Sequence, residues 1–213
     1  MKSWIKVICI TSFVLQMTAC NSSTQVSGSE PAQTVQKGVQ QHVKGKGIVD
    51  ITEAYNDKLN GLETVKGKVV HIKDGDTIDV SIIRQKQTVR LLLVDPPESV
   101  SQKIPPQKMG KEASLFLKKQ LKGKSVTLVF DRGPKEDKYG RKLTYVFCEG
   151  IHINKLMVKL GYGIVANISK PNTSLLPQML EIEKEVKASK TGVWSIKGYV
   201  DEEKHHYNRN DAT

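Results

Sequence analysis

Four short stretches of the chain carry side chains able to do chemistry on a charged substrate. Asp74-Gly75-Asp76-Thr77 is the first, and Arg90 interrupts the apolar run TVRLLLV. Asp95-Pro96-Pro97-Glu98 follows that run directly, and Asp137-Lys138-Tyr139-Gly140-Arg141 closes the set. Singly, each has a plain structural reading. Asp-Gly is the commonest hairpin turn signal, Pro-Pro-Glu is a stiff exit from a strand, and DKYGR is an ordinary exposed turn. Together they make a site. Asp76 and Asp95, if brought close, repel unless a cation lies between them. With no Cys or His nearby, an all-oxygen site favours Ca²⁺, Mg²⁺ or Mn²⁺ over zinc. Arg90 and Arg141 beside such a cation would fork onto phosphate oxygens. Glu98 is then a third carboxylate close to the metal, able to act as a base. An EF-hand is excluded, because the Asp74 region lacks glycine at its sixth position and glutamate at its twelfth.

Strands must hold these residues. Residues 65–72 read as one strand, and residues 77–83 alternate, with Ile78, Val80 and Ile82 on one face. Residues 88–94 are apolar on both faces and therefore central. Arg90 inside that strand is unfavourable unless its guanidinium meets a polar cleft or an anion. Residues 125–131 and 142–147 form a further pair around the loop RGPKEDKYGR. Helical periodicity appears over residues 111–121, 153–160 and 174–189, the last with Leu175, Met179, Ile182 and Val186 in one stripe. Five strands with helices between and after them predict an α+β fold, a small barrel with three flanking helices.

The runs VVHIKDGDTIDV, VRLLLVDPPE and FDRGPKEDKYGRKLTYVF, with the later KPN and VWS segments, resemble the staphylococcal nuclease (thermonuclease) family over about residues 62–198. That resemblance implies an OB-fold barrel and a Ca²⁺-dependent phosphodiesterase acting on DNA and RNA. It implies cleavage of the bond to the 5′-oxygen, leaving 3′-phosphates. Residue by residue, Asp76 and Asp95 match the family's calcium carboxylates, and Pro96 the position whose backbone carbonyl is a further ligand. Arg90, Glu98 and Arg141 match its catalytic trio, and Lys138 and Tyr139 match residues near the substrate. Pro96 replaces the family's usual Thr. Asn167 and Ser169 stand where it places two tyrosines, so a loss of base stacking is expected.

Charge and targeting fix the setting. The chain has 213 residues, with 33 Lys+Arg against 22 Asp+Glu, a net +11. A basic excess of this size suits a polyanionic partner: nucleic acid, an anionic membrane surface or an acidic wall polymer. No apolar run reaches the eighteen or so residues of a spanning helix. Cys9, Cys20 and Cys148 are too few for a disulfide framework or zinc finger, and Cys148 reads as a buried structural thiol.

Lys2 and Lys6 precede a short apolar stretch, Val7 to Leu15, and then Met17-Thr18-Ala19-Cys20. This is the layout of an export signal, and it resembles a bacterial lipoprotein signal with Cys20 as the lipidated residue. Residues 1–19 are therefore read as signal, and 20–60 as a lipidated N-terminus and flexible linker. The nuclease-like domain is assigned to 61–198, and 199–213 to a polar tail in which His205 and His206 are solvated. Forty residues of such linker reach roughly 35 Å. The expected location is the outer face of the cell membrane, with release to the medium as the alternative. The expected partners are single-stranded or frayed DNA and RNA, with the membrane touched only through the lipid. The chain is expected to act as a monomer without an obligate protein partner.

Overall fold

Strands form where β-branched residues alternate with polar ones, and glycine or aspartate turns end them. In the computed structural model, which describes residues 58–99 and 105–208, β1 spans Thr64–Ile72, β2 Thr77–Ile82 and β3 Gln85–Leu91. β4 is Ser125–Val129 and β5 is Lys142–Cys148. The stretch read as an export signal, Cys20 and the stretch read as linker up to residue 57 lie outside the described residues. β1, β2 and β3 form an antiparallel meander, β1 pairs β4, and β4 pairs β5. A parallel pairing of β3 with β5 closes the ring, matching Val89 with Lys142, Arg90 with Leu143 and Leu91 with Thr144. The result is a closed five-stranded barrel of the OB-fold type with three helices, as expected. A short β6, Ile151–His152, extends the sheet beyond β5.

β3 ends three residues earlier than the apolar run suggests. Leu93 takes a left-handed conformation (φ 60°), which turns the chain out of the barrel towards Asp95. Leu91, Leu92, Leu93 and Val94 are nevertheless all buried, so the run is apolar because of packing rather than strand pairing. Asn154, fully buried, braces this turn. Its amide donates to the Leu92 carbonyl at 2.8 Å, and its oxygen accepts from the Val146 N–H at 2.9 Å.

Helices α1 (Gly110–Leu121), α2 (Ile153–Lys159) and α3 (Leu176–Ala188) start within about two residues of their sequence signals. Each buries one stripe: Ala113, Leu117 and Leu121 from α1, Met157 and Val158 from α2, Met179 and Val186 from α3. Each large apolar side chain so buried stabilises the fold by about 1.5–3 kcal/mol. Cys148 is buried, as its structural reading requires, with its sulfur 3.6 Å from the Ser125 carbonyl.

One expectation needs correcting. Residues 199–208, read as solvated tail, are folded on the domain. Val200–Asp201 (β7) pairs with His206–Tyr207 (β8). Tyr199 and Tyr207 pack together, ring centroids 5.1 Å apart, in a second small core with Ile164 and Val193. Two aromatic rings in an otherwise polar segment are enough to anchor it.

Candidate active site

The meander and the β3 exit turn bring the first three stretches to one end of the barrel. Thr77 at the start of β2 pairs with Arg90 near the end of β3, so Asp76 lies beside the arginine. The Arg90 guanidinium sits between two carboxylates. Nη1 forms an ion pair with Asp76 Oδ2, and Nη2 donates to Asp95 Oδ1 at 3.1 Å. Arg90 is mostly buried, and burial lowers its pKa while the Asp95 charge opposes that shift. The barrel thus explains the arginine inside an apolar strand: the backbone pairs normally and the side chain neutralises two acids.

Each acid is held by a second partner. Asp76 Oδ1 accepts from the Thr77 hydroxyl at 2.6 Å, and Asp95 Oδ1 from the Asn167 amide at 3.0 Å. The Asp95 backbone is fixed by reciprocal 2.9 Å bonds with Ile164. Its carbonyl also accepts the Tyr207 hydroxyl at 2.6 Å. Pro96 packs on Gly75, where an added Cβ would come 2.8 Å from the proline ring. Only glycine lets the 74–77 loop lie that close to the 95–98 segment.

Glu98 is positioned through its backbone by Gln107. Its N–H donates to the Gln107 side-chain oxygen at 2.8 Å, and its carbonyl accepts the Gln107 N–H at 2.8 Å. Gly110 at the head of α1 packs against that same carbonyl, which a Cβ would meet at 2.3 Å. Asp74 Oδ1 accepts from the Gly75 N–H at 2.7 Å and the Ser99 hydroxyl at 2.5 Å, tying the two loops together. Arg141 reaches the cleft from the loop before β5. Asp137 takes its Nε–H at 2.7 Å and its backbone N–H at 3.0 Å. These bonds hold the Asp137 carboxyl below its usual range, although partial burial works against them.

Asp76, Arg90, Asp95, Pro96, Glu98 and Arg141 therefore line one cleft of about 340 Å³, with Asp74, Thr77, Gln107, His206 and Tyr207 completing its wall. Lys138 and Tyr139 do not line it. Tyr139 is 71% exposed on the neighbouring loop, 5.1 Å from the Lys138 ammonium and 5.4 Å from the Arg141 guanidinium. Asn167, which stands where the family places a tyrosine, donates to the Asp95 carboxylate at 3.0 Å, a contact the sequence does not announce. Sequence reasoning missed Gln107, Tyr207, Asn154 and the Asn167 contact. A conformational clue to Asn167 exists, since its left-handed φ of 55° suits Asn far better than Tyr.

The residues present fit a hard cation. The donors assigned to the cation, Asp76, Asp95 and the Pro96 carbonyl, are all oxygens, and Arg90 already places positive charge between the two acids. Among the described residues no three His, Cys, Asp or Glu side chains converge closely enough to hold a metal ion by themselves. Two carboxylates would thus be complemented by a main-chain oxygen and water, as calcium and magnesium sites allow.

A closed OB barrel that gathers two carboxylates, two arginines and a glutamate around one cleft has the charges needed to bind a phosphodiester. A family model described as Staphylococcal nuclease homologue matches residues 88–196. An uncharacterized protein of Bacillus anthracis is 76% identical over 213 residues, 100% of both chains. Endonuclease YncB of Bacillus subtilis is 40% identical over 127 residues, 60% of this chain and 60% of YncB. Thermonuclease of Staphylococcus hyicus is 36% identical over 128 residues, 60% of this chain and 75% of that protein. The chain belongs to the staphylococcal nuclease family.

Proposed function

We propose that this chain is a Ca²⁺-dependent nuclease that hydrolyses DNA and RNA outside the cell, breaking the bond to the 5′-oxygen and leaving 3′-phosphates. Hydrolysis of a phosphodiester bond is the activity of the family to which the chain belongs, and its relatives include proteins named endonuclease and thermonuclease. The observation that carries the finer reading is the Arg90 guanidinium between Asp76 and Asp95, on a cleft shared with Glu98 and Arg141.

The uncatalysed reaction is among the slowest in biology, so the site must supply about 20 kcal/mol. A general base contributes roughly 10²–10⁴-fold, which leaves most of the work to charge. Bound Ca²⁺, held by Asp76, Asp95 and the Pro96 carbonyl, would act as a Lewis acid on a phosphate oxygen. With Asp76 and Asp95 engaged by the cation, Arg90 would be released from them to fork, with Arg141, onto the remaining oxygens, where negative charge grows as water attacks phosphorus. Arg141 is suited to this because Asp137 takes its Nε–H and steadies it on the cleft wall. Glu98 takes the proton from the attacking water while Gln107 keeps its main chain in place. The P–O5′ bond then breaks, and the departing oxygen, stabilised by Arg141, takes a proton from solvent to become the 5′-hydroxyl.

Export and anchoring rest on the sequence around Cys20. Intact-mass analysis of the membrane fraction should give a diacylglyceryl-modified chain beginning at Cys20. A mature N-terminus elsewhere would remove the anchor from this reading. Mass spectrometry of fragments from a short oligonucleotide tests the chemistry: 3′-phosphate and 5′-hydroxyl ends support it, and 5′-phosphate ends refute it.

A further inference from the structure

The C-terminal hairpin has no role in the reading above, yet it touches the site at its most sensitive point. Tyr207 is buried, and its hydroxyl spans 112 positions of sequence to reach the Asp95 carbonyl at 2.6 Å. The neighbouring Tyr199 donates to the Lys108 carbonyl at 2.8 Å, two residues before α1 begins. The hairpin is therefore fastened to both segments that frame the cleft, the 95–98 run and the lead into α1. Between these anchors the chain presents His206, whose side chain is exposed and lines the same cleft as Asp76, Arg90, Glu98 and Arg141. The adjacent His205 faces elsewhere, over a groove beside α3 with Glu183, Lys187 and Trp194. The two histidines are thus not a metal-binding pair, since one faces each side of the hairpin. Hairpin and anchors lie beyond residue 196, where the family match ends.

We propose that the β7–β8 hairpin is a wall of the active site, with His206 a substrate-binding residue and Tyr207 the anchor that holds it there. The inference rests on the nucleic-acid substrate proposed above. A histidine ring carries at least one N–H donor in either protonation state. On the cleft wall beside Arg90 and Arg141, that donor meets a non-bridging oxygen of the phosphate neighbouring the one being cut. A neutral or cationic donor on this wall adds to strand binding more than to the chemical step, because it meets a phosphate already charged in the ground state.

The test uses the full chain, a short fluorescent single-stranded oligonucleotide, and three variants: His206→Ala, His206→Asn and Tyr207→Phe. Anisotropy with Ca²⁺ replaced by a chelator gives Kd without turnover, and steady-state kinetics with Ca²⁺ gives kcat and KM. His206→Ala should raise Kd and KM about three- to tenfold, the range for one hydrogen bond, with kcat within twofold. His206→Asn keeps an N–H donor and should recover part of the loss. Tyr207→Phe should show a smaller rise of the same kind, as the anchor loosens. Unchanged Kd and KM in His206→Ala overturn the proposal. So does a fall in kcat at constant KM, or no recovery by Asn. Failure of the wild-type chain to cleave would refute the function proposed above, whereas Kd would still report on His206.

Discussion

Replacing Arg90 with Met should make the cation site bind better and the enzyme work worse. The Arg90–Asp95 contact is 3.1 Å, and at an effective dielectric near 20 such a pair is worth about 5 kcal/mol before desolvation. Burying the guanidinium removes several kcal/mol of that. The partners are only partly exposed, 14% for Arg90, 8% for Asp76 and 31% for Asp95. Breaking the arrangement from one side should therefore lower stability by about 2–4 kcal/mol in chelator, near the range for a broken buried pair. Asp76 and Asp95 are then left facing each other without a counter-charge. Calcium should relieve that repulsion, so its Kd should tighten about three- to tenfold. At a hundred times Kd, bound Ca²⁺ returns about 2.7 kcal/mol, enough to recover most of the lost stability. The kcat should fall about 10²-fold or more, because the fork on the phosphate is gone. Urea unfolding with and without Ca²⁺, calorimetric Ca²⁺ titration and steady-state kinetics read the three effects. Weaker Ca²⁺ binding in Arg90→Met would refute the reasoning, as would a kcat within threefold of wild type.

Asn167→Ala removes a donor on Asp95 and, with Asp95 the proposed Ca²⁺ ligand, should weaken Ca²⁺ binding about tenfold; unchanged calorimetric affinity would return Asn167 to a purely structural role. His152 is buried against Phe147, ring centroids 4.7 Å apart, and burial lowers its pKa from 6.5 to about 3. The unfolded chain therefore binds a proton there between about pH 6.5 and 3 that the folded chain does not. Stability should be complete above pH 6.5 and fall as pH drops, by up to about 1.4 kcal/mol per unit. Glu183, raised by burial, acts in the opposite sense above pH 4.5, and Asp131, lowered by its hydrogen bonds despite burial, matters only below about 3.8. His152→Phe should accordingly flatten the slope between pH 6.5 and 4.5 in urea titrations. An unaltered slope would show that His152 does not control it.

The barrel strands and the three helices were legible because each buries a periodic face, and periodicity is local. The apolar run outlasts β3 because Leu93 and Val94 are buried beyond the last bond to β5, that of the Leu92 N–H to the Thr144 carbonyl, and burial and pairing give the same apolar signature. The acids, arginines and glutamate were legible because charged residues near the ends of apolar strands have few structural explanations. Their supports were not. Gln107 acts on Glu98 through main-chain bonds nine residues away, Asn154 on the Leu92 turn across 62 residues, and Tyr207 on Asp95 across 112. Such contacts exist only once the barrel has closed. The tail was read as solvent-exposed because most of its side chains are, and two buried tyrosines reversed that outcome.

Cleavage of heat-denatured DNA by the purified chain, in Ca²⁺ and then in excess chelator, tests the central claim most directly. The account predicts release of short fragments with Ca²⁺, none in chelator, and recovery when Ca²⁺ is restored. Glu98→Gln should lose about 10²-fold or more of that rate while still binding the strand. Binding of DNA without cleavage in either condition would contradict the account and leave a nucleic-acid-binding OB-fold in its place.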